Sequence, residues 1–234
     1  MAKEEKKAPE AEELLTSSEA LADQISKSEE FVKANKNILL GVVVAIAAAI
    51  GGTLFFQNSQ NENNQEALKA LYPAEYYFNL DSTNLVLNGN DEFMGVLEVA
   101  ANYSGTPAAG LANYYAGVIY LKQEDFDNAI EYLKKFDAND LIIQARAYSL
   151  IGDAYSELGK YAEAKDFYVK AVGQNSNDQF TPKYILKLAI NYEMSKDYSS
   201  AVAEYEKLIK DYPKSAEVNK AKKLKARASG LSKG

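Results

Sequence analysis

The chain has 234 residues, a net charge of −7 and a pI near 4.9, and it contains no His, Cys or Trp. Without imidazole or thiol there is no histidine base, thiolate nucleophile, disulfide, lipid-modified cysteine or His/Cys metal site, which excludes Ser–His–Asp and zinc hydrolysis. Hydrophobic residues make up 47%, enough for the packed core of one or two domains.

Charge is partitioned along the chain. Residues 1–37 carry six Lys against nine acids, a net of −3, and residues 38–56 carry no charge. Residues 214–234 carry six Lys and Arg227 against Glu217 alone, a net of +6. With the whole chain at −7, residues 57–213 stand at −10. An acidic body argues against a reader of phosphate backbones, so no nucleic-acid partner is expected. The basic end reads as a solvated last helix; nucleic acid or anionic lipid is the other chemistry open to it.

Taken in order, residues 1–37 form a polar tail. Its first 12 residues are charged, contain Pro9 and are expected to be disordered. Thr16 and Glu19 have capping-box spacing, and Leu21, Ile25 and Val32 form a weak stripe, so residues 18–34 are predicted to be a short amphipathic helix. Residues 38–56 (ILLGVVVAIAAAIGGTLFF) give 19 uncharged positions, about what a helix needs to cross the hydrocarbon core. A signal peptide has a shorter apolar core and a short basic start, so this is predicted to be an uncleaved transmembrane anchor in contact with lipid. Lys27, Lys33 and Lys36 precede it and only Lys69 lies at similar distance after it, which predicts a cytoplasmic N-terminus and translocation of residues 57–234. Gly41, Ala45 and Ala49 recur at every fourth position and Ala48 and Gly52 continue a neighbouring row. Such a face suits close helix packing in lipid, although Ala and Gly are also simply common in membrane helices. Residues 57–64 read as a polar linker.

A repeat domain is predicted over 65–234. Gln65–Leu80 is an aromatic-rich helix and Phe93–Tyr103 a second one, joined through the turn residues Asn88-Gly89-Asn90-Asp91 into a degenerate first repeat. Three clear repeats come next, at 110–140, 145–178 and 182–214. Gly117, Gly152 and Ala189 align, as do Tyr120, Tyr155 and Tyr192, then Phe126, Tyr161 and Tyr198, then Ala129, Ala164 and Ala201. Residues 215–229 read as a polar capping helix.

These spacings of 35 and 37 residues resemble the tetratricopeptide repeat, a pair of antiparallel helices that must stack on its neighbours. The resemblance implies that the aligned small residues let two helices approach, and that Pro213 marks a loop after the third pair. It also implies that the first helices line an inner groove. The groove residues are then Leu111, Tyr114, Val118, Leu121 and Lys122; Arg146, Ser149, Asp153, Ser156 and Glu157; Lys183, Leu186, Ile190, Glu193 and Met194. That surface is apolar, polar, then apolar, suited to an extended or helical protein segment. Most of the 17 Tyr fall at packing positions, a minority near the ends being open as exposed anchors. Carboxylates such as Asp125, Asp127, Glu204 and Glu206 read as solvated, and no phosphate loop or calcium-loop spacing is present. No enzyme activity, cofactor, metal or small-molecule substrate is expected. The expected fold is all-α: one N-terminal transmembrane helix, then an α-solenoid.

The order of parts, from about residue 18 to 229, resembles the YfgM family of bacterial inner-membrane proteins. That resemblance implies an ancillary subunit of the Sec translocon in the inner membrane, its repeat domain periplasmic, working beside the membrane-anchored chaperone PpiD. A general envelope-assembly scaffold and a holdase that binds unfolded clients remain the alternative readings.

Overall fold

The computed structural model describes residues 18–174 and 176–232. The expected cap residue Thr16 and the charged stretch 1–12 lie outside them. The chain divides into two compact units, Met1–Ser59 and Gln60–Gly234.

In the first unit α1 covers Ser18–Ala34, as the sequence predicts. It stops at Asn35, whose side-chain amide donates to the Phe31 carbonyl at 2.9 Å. Helix α2 then runs Lys36–Asn79, 44 residues. Its apolar stretch is bare: Ile38 is 66% and Phe55 79% exposed. Each Å² of such surface costs about 25 cal/mol in water, so it calls for an apolar surrounding. By length and composition α2 is able to cross a membrane.

Residues 57–64, expected as a linker, are helical and belong to α2. They contain no Gly or Pro, so nothing interrupts the backbone ladder begun upstream. In the second unit Asn64 Oδ1 accepts the Ala108 N–H at 2.9 Å, capping a distant helix.

The degenerate repeat differs from expectation. An unforeseen helix α3 occupies Thr83–Asn88, and strands β1 (Gly89–Asn90) and β2 (Phe93–Met94) form an antiparallel hairpin. The next helix, α4, therefore begins at Val96, not Phe93, and ends at Asn102. Asn90 Oδ1 accepts the N–H groups of Glu92 (2.9 Å) and Phe93 (3.1 Å), tying the turn. Gly89 has φ +68°, and a Cβ there would lie 2.3 Å from the Phe93 carbonyl oxygen. Only glycine fits. Leu71 and Ala74 of α2 pack with Val86, Val96 and Val99 and with Ala112, Ala116 and Ile119 of the next repeat.

The three clear repeats are helix pairs: α5 (Pro107–Lys122) with α6 (Phe126–Lys134), α7 (Leu141–Glu157) with α8 (Tyr161–Gln174), and α9 (Thr181–Met194) with α10 (Tyr198–Asp211). Helix α11, Val218–Leu231, closes the stack, starting three residues later than the predicted cap. Thr106, Asp125, Asp140 and Asp197 each accept a backbone N–H of the turn they open. The aligned small residues sit where two helices meet. A Cβ on Gly117 would lie 2.5 Å from Leu133 Cγ, and one on Gly152 2.7 Å from the Tyr168 ring. Ala129, Ala164, Ala189 and Ala201 are fully buried. The tight turns inside the pairs repeat too. Glu124, Gly159 and Lys196 share left-handed φ of 61°, 71° and 64°. The next N–H (Asp125, Lys160, Asp197) closes onto the carbonyl of Tyr120, Tyr155 or Tyr192, at 2.9 Å in all three.

Candidate protein-binding surface

The first helices α5, α7 and α9 place the expected groove residues in two groups. Tyr114 and Val118 are buried against Ala147, Ile151 and Ala154 of α7, and Leu186 is buried in the core of the third repeat. Ser149 is only 2% exposed. These four belong to the core, because the face that looks into the groove also looks at the neighbouring repeat. Leu111, Leu121, Asp153 and Ile190 are half-buried, whereas Arg146 and Lys183 are exposed and Met194 is 54% exposed. The open part of the face, which also includes exposed Lys122 and Glu157, therefore mixes apolar edges with three cations and a carboxylate.

The repeat register reaches one more position on each helix, missed in the sequence: Tyr115, Leu150 and Lys187, each one residue past Tyr114, Ser149 and Leu186. Lys187 Nζ donates to Asp153 Oδ2 at 2.5 Å and to Ser149 Oγ at 3.1 Å. The Tyr168 hydroxyl donates to Asp153 Oδ1 at 2.8 Å. Burial, then the Asp153 charge, pushes the Tyr168 pKa well up. The Tyr115 hydroxyl donates to Glu75 at 3.1 Å. Burial first, and Glu75 second, push its pKa up to about 12.

Glu193, expected in the groove, instead turns toward α10 and α11. It accepts from the Tyr205 hydroxyl at 2.6 Å and from Arg227 Nε and Nη2 at 3.1 and 2.5 Å. Its side chain is 7% exposed, so the guanidinium and the phenol replace the water it has lost.

A cleft of about 920 Å³ opens between the α4–α5 turn and the α6–α7 connection, lined by Leu97, Leu111, Asn113, Tyr132, Phe136 and Ile143 among others. Beside it Leu141 and Ile142 are 48% and 42% exposed. Leu141 and Ile142 open α7 but fall between the repeats expected at 110–140 and 145–178, which is why alignment of the repeats did not reveal them. In the first unit Gly41, Ala45, Ala48, Ala49 and Gly52 share one exposed face of α2, and a Cβ on either glycine meets nothing within 4 Å.

Comparison with known proteins agrees with this geometry. Residues 112–138 and 145–178 match one family model of the tetratricopeptide repeat, and residues 184–215 match another. The fold is thus an all-α tetratricopeptide-repeat solenoid carrying one long apolar N-terminal helix, and repeats of this type form protein–protein interaction scaffolds. Among solved structures, the MamA protein is 19% identical with a TM-score of 0.52, over 74% of this chain and 90% of that one. A chain of the APC/C hetero-tetramer Cut9–Hcn1 is 20% identical with a TM-score of 0.52, over 69% of this chain and 29% of that one. The TPR2B domain of yeast Sti1, in its pHsp70 complex, is 19% identical with a TM-score of 0.44, over 52% of this chain and 96% of that one. No curated protein matches the sequence.

Proposed function

We propose that this protein is a non-enzymatic, membrane-anchored scaffold whose repeat domain lies in the periplasm. It serves as an ancillary subunit of the Sec translocon and holds a PpiD-like membrane-anchored chaperone near exported chains. The observation that carries the scaffold reading is the joining of a bare apolar helix, residues 38–56, to stacked repeats with a partly open, mixed inner face. The ordering of parts that resembles the YfgM family supports the choice of machine, and the lysines before the span support the orientation. On this reading the Gly41–Ala45–Ala49 face meets a translocon helix, and Leu121, Ile190 and Met194 meet the chaperone. A second reading, a holdase, draws on the exposed Leu141–Ile143 segment beside the 920 Å³ cleft, which suits apolar client side chains.

Photo-crosslinking residues placed at Ile190, Met194 and Ala45 in intact membranes test this. A chaperone captured at the first two and a translocon subunit at the third support the proposal. A spread of unfolded exported chains at Ile190 and Met194 supports the holdase. One different stable complex at all three replaces the translocon with another envelope machine.

A further inference from the structure

Three residues separate the end of α1 from Ile38, where the uncharged stretch begins, and one face of α1 is bare. Ile25, Val32 and Phe31 are 59%, 52% and 61% exposed. At about 3.6 residues per turn these three fall within an arc of roughly 120°, which also holds Ser28. Between Ile25 and Ala34 every charged residue (Lys27, Glu29, Glu30 and Lys33) falls outside that arc. Glu29 and Lys33 pair with each other at 3.2 Å, both side chains well exposed. The helix is therefore apolar on one side and ionic on the other.

The break after α1 frees that face to turn independently of α2. The backbone N–H of Asn35 and its side-chain Nδ2 both donate to the Phe31 carbonyl, at 3.0 and 2.9 Å. The ladder restarts with Leu39 N–H on the Asn35 carbonyl, at 2.9 Å. Among the described residues, Lys36 and Ile38 make no rung back to Val32 and Ala34. Residues 31–40 contain neither Gly nor Pro, so the kink belongs to the Asn35 side chain entering the ladder.

We propose that α1 lies flat at the boundary between headgroups and acyl chains of the bilayer, with Ile25, Phe31 and Val32 turned into the lipid. The proposal rests on the reading of residues 38–56 as a membrane span. Chain length argues for lipid as the cover. Val32 stands six residues from Ile38, at most about 22 Å even fully extended, so the apolar face is always within reach of the bilayer. Charge argues for the boundary over a purely ionic contact. Residues 18–36 carry three Lys against four acids, a net of −1, so attraction to a negative surface does not hold the helix down. Apolar burial does, to a depth of about 5–10 Å for such helices, while Glu30 and Lys33 stay in water. Lying flat, α1 acts as a stop that sets the depth of the span's first turn.

The absence of cysteine permits single spin labels in the full chain, reconstituted in vesicles of neutral phosphatidylcholine. Labels go on Ile25→Cys and Val32→Cys, on Ser26→Cys and Glu30→Cys of the opposite face, and on Val44→Cys within the span. Relaxation by oxygen, which concentrates in lipid, is compared with relaxation by a water-soluble nickel chelate. The oxygen-to-nickel ratio at Ile25→Cys and Val32→Cys should exceed that at Ser26→Cys and Glu30→Cys by about fivefold. Added anionic lipid should leave that contrast unchanged. Equal ratios on the two faces, with the Val44→Cys label deep in lipid, overturn the proposal and leave the span standing. A wetted Val44→Cys label overturns the span reading and the proposal with it. Exclusion of both reagents from Ile25→Cys and Val32→Cys shows protein on that face, and a contrast that arises only with anionic lipid shows charge holding the helix; either result sinks the proposal. In a second arm, Ile25→Glu with Val32→Glu should bring the ratio at a Phe31→Cys label down to that of Glu30→Cys, whereas Ile25→Leu with Val32→Leu should leave it high. A Phe31→Cys label that both pairs leave unmoved counts against the proposal.

Discussion

Three residues in equivalent turns carry different side chains on the same backbone. Glu124, Gly159 and Lys196 are all left-handed, a conformation in which a Cβ crowds the next carbonyl by roughly 1–2 kcal/mol. Gly159→Ala should therefore lower stability by about 1 kcal/mol, while Lys196→Gly should raise it by a few tenths to ~1 kcal/mol, since added freedom in the unfolded chain offsets part of the relief. Urea unfolding of both variants checks this, and two unchanged midpoints would show that the turns reach another geometry at no cost. Of the three, only Gly159 announces a turn in the sequence. Glu124 and Lys196 do not, because a charged residue held left-handed by a closing hydrogen bond to Tyr120 or Tyr192 leaves no compositional trace. Gly117 and Gly152 were legible for the opposite reason: they recur in register, and the space they leave is filled by Leu133 and Tyr168.

Helices α5 to α10 could be read from the sequence because small and aromatic residues return at near-constant spacing. The α3–hairpin segment could not, since it falls outside that spacing and its fold hangs on Gly89 and the Asn90 turn. The helical state of residues 57–64 was hidden by Asn and Gln, which resemble loop composition but do not stop a helix already under way. The last helix is held by a polar tie the register does not contain, Arg227 on Glu193. Arg227→Met leaves a nearly buried carboxylate with one phenol and should destabilise the third repeat and α11, water replacing part of an exposed guanidinium. Lys225→Met, which removes the exposed pair with Glu206, should cost under about 1 kcal/mol. Hydrogen exchange in α11 separates the two: protection should fall in the first variant and hold in the second, and equal protection would show that Glu193 needs no arginine.

Across the whole molecule, tyrosines set the alkaline limit. Tyr115 ionises at about 12 in the fold against 10.0 in an open chain, and Tyr168 and Tyr205 are also pushed up, chiefly by burial and then by Asp153 and Glu193. Raised folded values mean that the unfolded chain loses its phenolic protons first. Their stabilisation is complete below pH 10 and falls as pH rises above it, that of Tyr115 being lost through about 12. Lys135, raised by its hydrogen bond to Glu131, acts in the same direction. Denaturant midpoints should thus fall steeply above pH ~10, and Tyr168→Phe should flatten that fall. An unaltered slope would place the titration elsewhere. The inner surface was only half legible at this scale. The same register that points Leu121, Ile190 and Met194 outward sends Tyr114, Val118 and Leu186 into the next repeat. The carboxylate of Glu193 has one more consequence, for the order in which the chain is made. Each helix pair finds its main neighbours within the adjoining repeat, so a growing polypeptide is able to consolidate pair by pair as it emerges. Glu193 waits 34 residues for Arg227. Until Arg227 is synthesised, the third repeat carries a negative charge without its guanidinium partner at its growing edge, which keeps that edge wet and delays its closure by those 34 residues.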